Sequence, residues 1–422
     1  MRCPHCGKEI PDQSHYCLHC MTRLEEPVEV SPVPVSRIPK RLLLTAAAVL
    51  ILGVAAGGYF LLSSLNRSNP ASIETISTES SSPESTVQES NQSNSIGEYR
   101  QAETGGVIFE YNPDAPLPEG DENGFIIENG VLTQYVGSDT VVTIPEDVTA
   151  IGERAFFNNQ AVTEIILPEG LLSIGTSAFY NCSHLERVQL PASLNQIDSQ
   201  AFSLCTSLTE HVLSPDNPYF VVQDGILYNQ QQTALNSYPA GKTDPAFSIP
   251  DTVTFVTPWA FEGNLYLEQV YVPEGVSEMP FAFGYCPQLR EIQVAEGNTS
   301  FRSEEGVLYT KDGQTLVFYP PNREGDYFDI PQTVQQVESN AFFGSRYLTK
   351  ITVPEGVSVL NVFVFKEVQQ LRELYLPASI TMIDSTAFTG AASLPTIYTP
   401  ENSVTEDFCA ENNISYVIED PS

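Results

Sequence analysis

The chain has 422 residues, of which 53 are acidic and 19 basic, and its formal net charge is −34. Most of the acidic excess falls in the last two-thirds of the sequence. Because like charges repel, nucleic acid and anionic lipid are excluded as expected partners of that region. A solvated surface kept soluble by its charge is the plainer interpretation, with basic ligands or divalent cations as the alternative.

Two Cys-x-x-Cys pairs lie at the start of the chain. Cys3 and Cys6 form the first pair, and Cys17 and Cys20 form the second. Four thiolates at this spacing can surround a zinc ion tetrahedrally, and closed sites with four protein ligands are structural rather than catalytic. Residues 1–24 resemble a zinc ribbon, so we expect Zn²⁺ to be bound there and to contribute directly to folding.

An uncharged apolar stretch covers residues 42–62 and is long enough to cross a bilayer as one helix. Arg37, Lys40 and Arg41 lie just before it, in a basic juxtamembrane linker over 25–41, and a single basic residue follows closely. This asymmetry predicts a single pass through the plasma membrane, with the N-terminus in the cytoplasm and the C-terminus outside. A cleaved signal peptide is the rival interpretation, but a flank that contains a metal site is too elaborate for one.

One further feature lies within this span and another follows it. Gly53 and Gly57 have the spacing of small residues that lets membrane helices pack closely, which allows a homodimer, although such spacing also arises by chance. Residues 63–105 are rich in Ser, Glu, Asn and Thr and poor in large apolar groups. Such a composition cannot offset the entropy of ordering, so it predicts a disordered stalk.

The remainder, 106–422, contains an Ala-Phe pair that recurs at intervals of 22, 23 or 59 residues. A period of this length predicts a solenoid, because each unit is too short to bury its apolar side chains alone and must stack on its neighbours. The pairs, with valine replacing alanine once, are Ala155-Phe156, Ala178-Phe179, Ala201-Phe202, Ala260-Phe261, Ala282-Phe283, Ala341-Phe342, Val364-Phe365 and Ala387-Phe388.

Each unit contains a short predicted strand that ends at a proline. Leu185, Val188 and Leu190 precede Pro191, and alternate apolar places indicate side chains that enter a core. A second short apolar segment follows in each unit. Gly152 and Gly175 come directly after it, and we expect glycine there to permit a corner that would strain other residues. The repeated phrase resembles the BspA-like leucine-rich repeat family over roughly residues 125–420. That resemblance implies a mainly β solenoid with coils of about 23 residues, and a role in adhesion or in binding host or matrix components.

Each 59-residue step equals one repeat plus an insertion. Asp224-Gly225 and Glu305-Gly306 stand between apolar runs in the two insertions, which predicts β-hairpin modules. A weaker copy, Gly124–Leu132, precedes the first repeat. At the other end, Ser403 and Glu406 form a capping box that predicts a short helix, which we expect to shield the core and edge of the last coil.

The third and fifth places of each long strand are expected to point away from the core, onto a face shared by all coils. We take Arg187, Tyr271, Gln293, Tyr375 and Tyr398 as candidate ligand-binding residues, because flat amphipathic tyrosines are enriched at interfaces. The alternative is that β-propensity alone places tyrosine on an exposed strand.

Cys182, Cys205 and Cys286 recur at one repeat position, three residues after the phenylalanine, and therefore predict a buried core ladder, whereas Cys409 lies in the terminal segment. Cys182 and Cys205 would lie about 5 Å apart on adjacent coils, so a disulfide stays open beside the interpretation as packed thiols. His184 and His211 are the only outer histidines, and no phosphate loop, nucleophile elbow or helical zinc-protease motif is visible, so we expect no enzyme.

These features predict a membrane-anchored surface protein whose repeats recognise an extracellular protein or glycan. The alternative hypothesis is a transmembrane sensor or scaffold whose cytoplasmic zinc ribbon recruits a partner.

Overall fold

The computed structural model describes residues 97–101, 107–112 and 118–419. The predicted zinc ribbon at 1–24, the linker at 25–41 and the membrane span at 42–62 lie outside these residues, and so does most of the predicted stalk. Among the residues that are described, no helix combines the length and the apolar character that crossing a membrane requires.

The first described element is an antiparallel hairpin of two strands, Gly97–Gln101 and Val107–Tyr111. Its first strand lies inside the 63–105 segment, so the predicted disorder is corrected at that end. The apolar, β-forming run Val107–Tyr111 supplies backbone partners that composition alone does not reveal.

Each coil contributes one strand to a parallel ladder that we call the long-strand face. In Arg187–Leu190, Val188 and Leu190 are fully buried whereas Arg187 and Gln189 are exposed, which confirms the predicted alternation. The insertions interrupt the ladder twice, leaving sheets of four, three and five strands. In chain order the strands are Val141–Thr143, Glu164–Ile166, Arg187–Leu190, Val212–Leu213, Ala246–Ser248, Gln269–Val272, Glu291–Val294, Tyr327–Asp329, Lys350–Thr352, Glu373–Tyr375, Thr396–Thr399 and Tyr416–Ile418.

A second ladder of two-residue strands forms the short-strand face. Gly175 directly follows one of them, and a Cβ at this position would lie 2.9 Å from the backbone nitrogen of Glu153 in the preceding coil. The expected role of such glycines in a strained corner is corrected: close approach of neighbouring backbones, rather than a positive φ, excludes a side chain. The strands are Ala150–Ile151, Ser173–Ile174, Gln196–Ile197, Phe255–Val256, Gln336–Val337, Val359–Leu360 and Met382–Ile383.

The Ala-Phe pairs lie in the turns that join the two faces. The backbone N–H of Phe156 donates to the carbonyl of Ala178 at 2.7 Å, and Phe179 donates in the same way to Ala201 at 2.9 Å. Both residues of a pair such as Ala178-Phe179 are fully buried, so a small side chain fits in the turn and the phenylalanine enters the core. The phenylalanine rings of adjacent coils then stack, as Phe179 does on Phe202 with a centroid distance of 5.4 Å.

The two insertions are three-stranded antiparallel modules, as the hairpin signals predict. Asp224 and Gly225 have φ values of 52° and 78°, and a tight turn with two positive φ values matches the twist of its strands. The third strand of each module returns to the short-strand face, where Ala234–Ser237 pairs in parallel with Phe255–Val256. The module strands are Phe220–Gln223, Ile226–Asn229, Ala234–Ser237, Phe301–Glu304, Val307–Thr310 and Thr315–Phe318.

The first hairpin, Phe125–Glu128 with Val131–Tyr135, corresponds to other strands of the inserted modules than the sequence similarity predicts. Val131–Tyr135 pairs in parallel with Ala150–Ile151, so it corresponds to the third strand of a module and not to the second. Tyr135 marks this register, because its N–H donates to the carbonyl of Ala155 as the N–H of Tyr238 donates to that of Ala260, both at 2.8 Å.

Buried asparagines stabilise the loops before several strands through side-chain hydrogen bonds to the backbone. Asn298 is 0 % exposed, and its side-chain nitrogen donates to the carbonyls of Pro273 and Val276 at 2.7 and 2.9 Å. Its side-chain oxygen accepts from the N–H groups of Ser300 and Phe301. Asn217 and Asn264 form the same four bonds at equivalent places.

Helix α1, Val404–Asn412, follows the predicted capping box, since the Glu406 N–H donates to Ser403 Oγ at 3.1 Å. The fully buried Cys409 on this helix closes the core beneath the last coils. The chain then forms the additional strand Tyr416–Ile418, whose three side chains are all exposed. The expectation that the helix shields the edge of the ladder is therefore wrong, because this strand pairs with Thr396–Thr399 and becomes the edge itself.

Candidate binding surface of the repeat region

The candidate tyrosines lie on the outward side of the long-strand face, as the alternation predicts. Tyr375 and Tyr398 are in register on adjacent strands, and their rings stack with centroids 4.3 Å apart and an interplanar angle of 6°. The Lys350 ammonium lies 4.4 Å from the Tyr375 ring centroid, a cation–π contact. We call Lys350, Glu373, Tyr375 and Tyr398 the tyrosine patch.

Carboxylates lie within and beside the tyrosine patch. The Tyr375 hydroxyl donates to Glu373 Oε2 at 3.4 Å. Desolvation raises the pKa of Tyr375 to about 12, and the negative charges of Glu373 and Glu419 add to the effect. The patch therefore presents aromatic faces beside negative charge, an arrangement that attracts cationic side chains.

The other candidate residues lie elsewhere on the same face. Tyr271 is 40 % exposed and in register with Gln293 on the next strand, in the three-stranded sheet. Arg187 lies in the first sheet, where it forms an exposed ion pair of 3.8 Å with Glu164. The structure thus places Tyr375 beside Tyr398, and Tyr271 beside Gln293, on adjacent strands. It does not bring the five candidates into one site.

The predicted zinc ligands Cys3, Cys6, Cys17 and Cys20, like Gly53 and Gly57, lie outside the described residues. Across the ranges that are described, no cluster of three or more His, Cys, Asp or Glu side chains is placed to hold a metal ion.

The outer cysteines form the buried ladder that their spacing predicts. Cys182 and Cys205 are 0 % exposed free thiols, and each Sγ–H donates at 3.1 Å to a phenylalanine carbonyl in the preceding coil. Burial raises the pKa of both thiols, and of Cys286 and Cys409 as well. Since the thiolate is the nucleophile, these residues are structural.

A buried acidic network on the Ala-Phe turns is not predictable from any motif. Glu262 is 4 % exposed and accepts from Gln200 Nε2 at 2.9 Å, across the first insertion. Tyr285 donates to Glu367 Oε1 at 2.9 Å, across the second. Burial raises the pKa of both carboxyls, and the Lys366 ammonium opposes the shift. The only sequence signal is that Glu262 and Glu367, one and two places after the repeat phenylalanine, are the only carboxylates at those places in the eight repeats.

Two aromatic residues beside this network adopt a conformation unusual for their size. Trp259 and Phe281 have φ values of 64° and 48°, and their rings stack with centroids 5.8 Å apart. The adjoining cavity, lined by Gln200, Asn236 and Trp259 among others, holds about 10 Å³. That space suits a single water molecule.

His211 lies in the core at the start of the first insertion and is 2 % exposed. Its Nε2 is 3.0 Å from Ser237 Oγ, whereas Nδ1 is buried without a partner. Its ring meets Phe202 edge-on at 5.1 Å. His211 is therefore a packing residue of the core.

Burial lowers the pKa of His211 to about 4, which predicts acid sensitivity. The unfolded chain binds a proton near pH 6.5 that the folded chain does not accept until about pH 4, so the free energy of unfolding falls in this window as the pH falls, by up to about 3 kcal/mol. Glu262, Glu338 and Glu367 act in the opposite direction, because burial raises their pKa. The measurement is therefore denaturant unfolding of the wild type and of His211→Gln between pH 7 and pH 4.

The wild type should lose its stability advantage over His211→Gln as the solution becomes acidic. Glutamine keeps a hydrogen-bonding group near Ser237 without a titrating ring. A stability difference that stays constant over the whole pH range would contradict the burial of a neutral imidazole.

Residues 131–233, 244–305 and 317–418 match the BspA type leucine rich repeat region in six copies, which together occupy more than half of the chain. The chain belongs to the BspA-type leucine-rich repeat family. The two gaps between the matched segments, 234–243 and 306–316, overlap the inserted hairpin modules.

Several solved structures share similarity with this BspA-type chain. The pneumococcal vaccine antigen PcpA is 23 % identical over 67 % of this chain and 68 % of its own, with a TM-score of 0.42. A leucine rich cell surface protein from Faecalibacterium prausnitzii is 26 % identical over 66 % of this chain and 62 % of its own, with a TM-score of 0.40. A leucine-rich repeat protein from Eubacterium ventriosum is 24 % identical over 60 % of this chain and 77 % of its own, also at 0.40.

The family and the last two of these neighbours are described by their leucine-rich sequence rather than by a catalytic activity. Among curated proteins, none matches this sequence significantly.

Proposed function

We propose that the repeat region binds a protein or glycan outside the cell, as an adhesin does. The stacked pair Tyr375 and Tyr398 carries this proposal. Both side chains project from paired strands, so little rotamer or backbone entropy is lost on binding. Aromatic residues held in this way are frequent anchors at interfaces, and the flanking carboxylates favour a basic ligand.

The proposal is tested by replacing Tyr271, Tyr375 and Tyr398 together with alanine in the full chain. We expect affinity for the ligand identified on a glycan and matrix-protein array to fall at least about tenfold, because one desolvated aromatic anchor commonly contributes more than 1 kcal/mol. The matched control replaces Tyr219 and Tyr266, which are 50 % and 44 % exposed and lie outside the strands of this face. Equal loss in both variants, or none in the first, would exclude this face as the binding surface.

The location of the repeat region follows from the proposed membrane anchor. In this proposal, residues 42–62 span the plasma membrane, Gly53 and Gly57 allow pairing of two spans, and Cys3, Cys6, Cys17 and Cys20 hold Zn²⁺ in the cytoplasm. Protease added to intact cells should release the repeats and leave one zinc ion per chain in the membrane fraction. Cys17→Ser should remove the zinc without changing the cleavage. Repeats that resist external protease would contradict the topology.

A further inference from the structure

The last strand of the long-strand face, Tyr416–Ile418, has an open backbone edge. It pairs in parallel with Thr396–Thr399, and it ends the five-stranded sheet within the described residues. Ile397 N–H donates to the Ser415 carbonyl at 2.9 Å, and Glu419 N–H donates to the Thr399 carbonyl at 3.0 Å. Because a parallel ladder uses alternate residues, the N–H and C=O groups of Tyr416 and Ile418 face away from the sheet.

The side chains of this strand are exposed in the same region. Tyr416 and Ile418 are in register with Ile397 and Thr399, which face the core and are 0 % exposed. Yet Tyr416 is 38 % exposed and Ile418 44 %, because no further coil covers them within residues 118–419. The end of the solenoid therefore offers both unused backbone groups and uncovered core positions, the two features that an added strand satisfies.

The charge around this edge determines what can bind there. The segment from residue 401 to residue 419 contains no Lys, Arg or His. Its five acidic side chains are Glu401, Glu406, Asp407, Glu411 and Glu419. A second copy would bring two such segments together, and the repulsion between them opposes that pairing.

The outward row of the ladder leads from the tyrosine patch to this edge. Tyr375, Tyr398 and Val417 are in register on successive strands. Lys350 already places an ammonium over Tyr375, so the row accommodates a cationic side chain. An added strand would set its own outward residues next to Val417 and near Glu419.

We propose that the open edge of Tyr416–Ile418 binds an extended, basic segment of a partner polypeptide as an additional parallel or antiparallel strand. This rests on the proposed binding function and names its partner as a polypeptide with alternating aliphatic and basic residues. The aliphatic side chains would cover Tyr416 and Ile418, and the basic ones would meet the acidic segment.

The probe is a fluorescent seven-residue peptide, Lys-Val-Lys-Val-Lys-Val-Lys, titrated into the full-length chain in mild detergent. We expect saturable binding that weakens as salt is added, and none for the counterpart with glutamate in place of lysine. Two further peptides carry N-methyl groups on alternate amides. One of them should lose binding at least about tenfold and the other should keep it, because only one set of amides faces the strand.

The protein variant is Ile418→Pro, which removes an outward N–H while sparing the bonds to Thr396–Thr399. Its matched control is Val141→Pro on the first strand of the long-strand face, where Val141 is 51 % exposed. Peptide affinity should fall at least about tenfold in the first variant only. Unchanged affinity in Ile418→Pro, equal loss in both variants, or equal effects of the two methylated peptides would overturn the inference.

A second copy at the edge is a distinct outcome. Concentration-dependent dimerisation of the wild type that Ile418→Pro abolishes, without peptide binding, would replace the peptide by another copy of this chain. The tyrosine variants distinguish the proposed binding function of the long-strand face from the added strand at its open edge. Array binding that depends on Tyr375 and Tyr398 while the peptide fails to bind would leave the proposed function standing and reject the added strand.

Discussion

Phe342→Ala should lower the free energy of unfolding by roughly 3–5 kcal/mol, the range for truncating a buried phenylalanine. Phe342 is 0 % exposed, and its ring centroid lies 5.4 Å from those of both Tyr319 and Phe365. Tyr319 belongs to the second insertion and Phe365 to the coil that follows. The cavity left by the truncated ring would therefore weaken the packing of the coils that follow the second insertion against that insertion.

Denaturant unfolding followed by circular dichroism measures this effect. Coils contact only their neighbours, so a weakened junction should also separate the transition into two steps. The control is Tyr327→Ala in the same block, where the side chain is 65 % exposed and the change should stay within about 0.5 kcal/mol. A loss of under 1 kcal/mol for Phe342→Ala would mean that the aromatic stack does not support the solenoid.

The regular part of this structure could be predicted because its causes are local and repeated. Val188 and Leu190 alternate with polar residues within one strand, and Asp224-Gly225 carries its own turn preference. Stacking then follows from the period, since each coil buries what its neighbour exposes. The same logic predicts the outward placement of Tyr375 and Tyr398.

The features that sequence reasoning missed depend on which coils become neighbours. Gln200 and Glu262 are separated by 62 residues, and Tyr285 and Glu367 by 82, so no periodic pattern relates them. Each pair spans one of the two insertions.

The register of the first hairpin illustrates a second limit. Its residues resemble the first two strands of a module, but a lone hairpin has no third strand to return the chain. Val131–Tyr135 must therefore join the short-strand face itself. The choice between these registers depends on the parallel partner Ala150–Ile151, which the hairpin residues do not encode.

Asn298→Ala should cost roughly 3–5 kcal/mol, although it removes only a small polar side chain. The substitution leaves two backbone N–H groups and two carbonyls without their asparagine partner in a fully buried place. Each unsatisfied buried group costs about 1–3 kcal/mol, and partial relaxation keeps the total below the sum. Asn195→Ala, at an exposed side chain, should change stability by less than about 0.5 kcal/mol.

Asn298→Asp separates the hydrogen bonds from the shape of the side chain. An ionised carboxylate still accepts from Ser300 and Phe301, but it faces the carbonyls of Pro273 and Val276 with no proton to donate. The variant should be at least as unstable as the alanine form at pH 7. Its stability relative to the wild type should rise as the pH falls, because the folded state then favours the protonated acid, which donates once more. A variant as stable as the wild type at neutral pH would show that the two donated bonds contribute little.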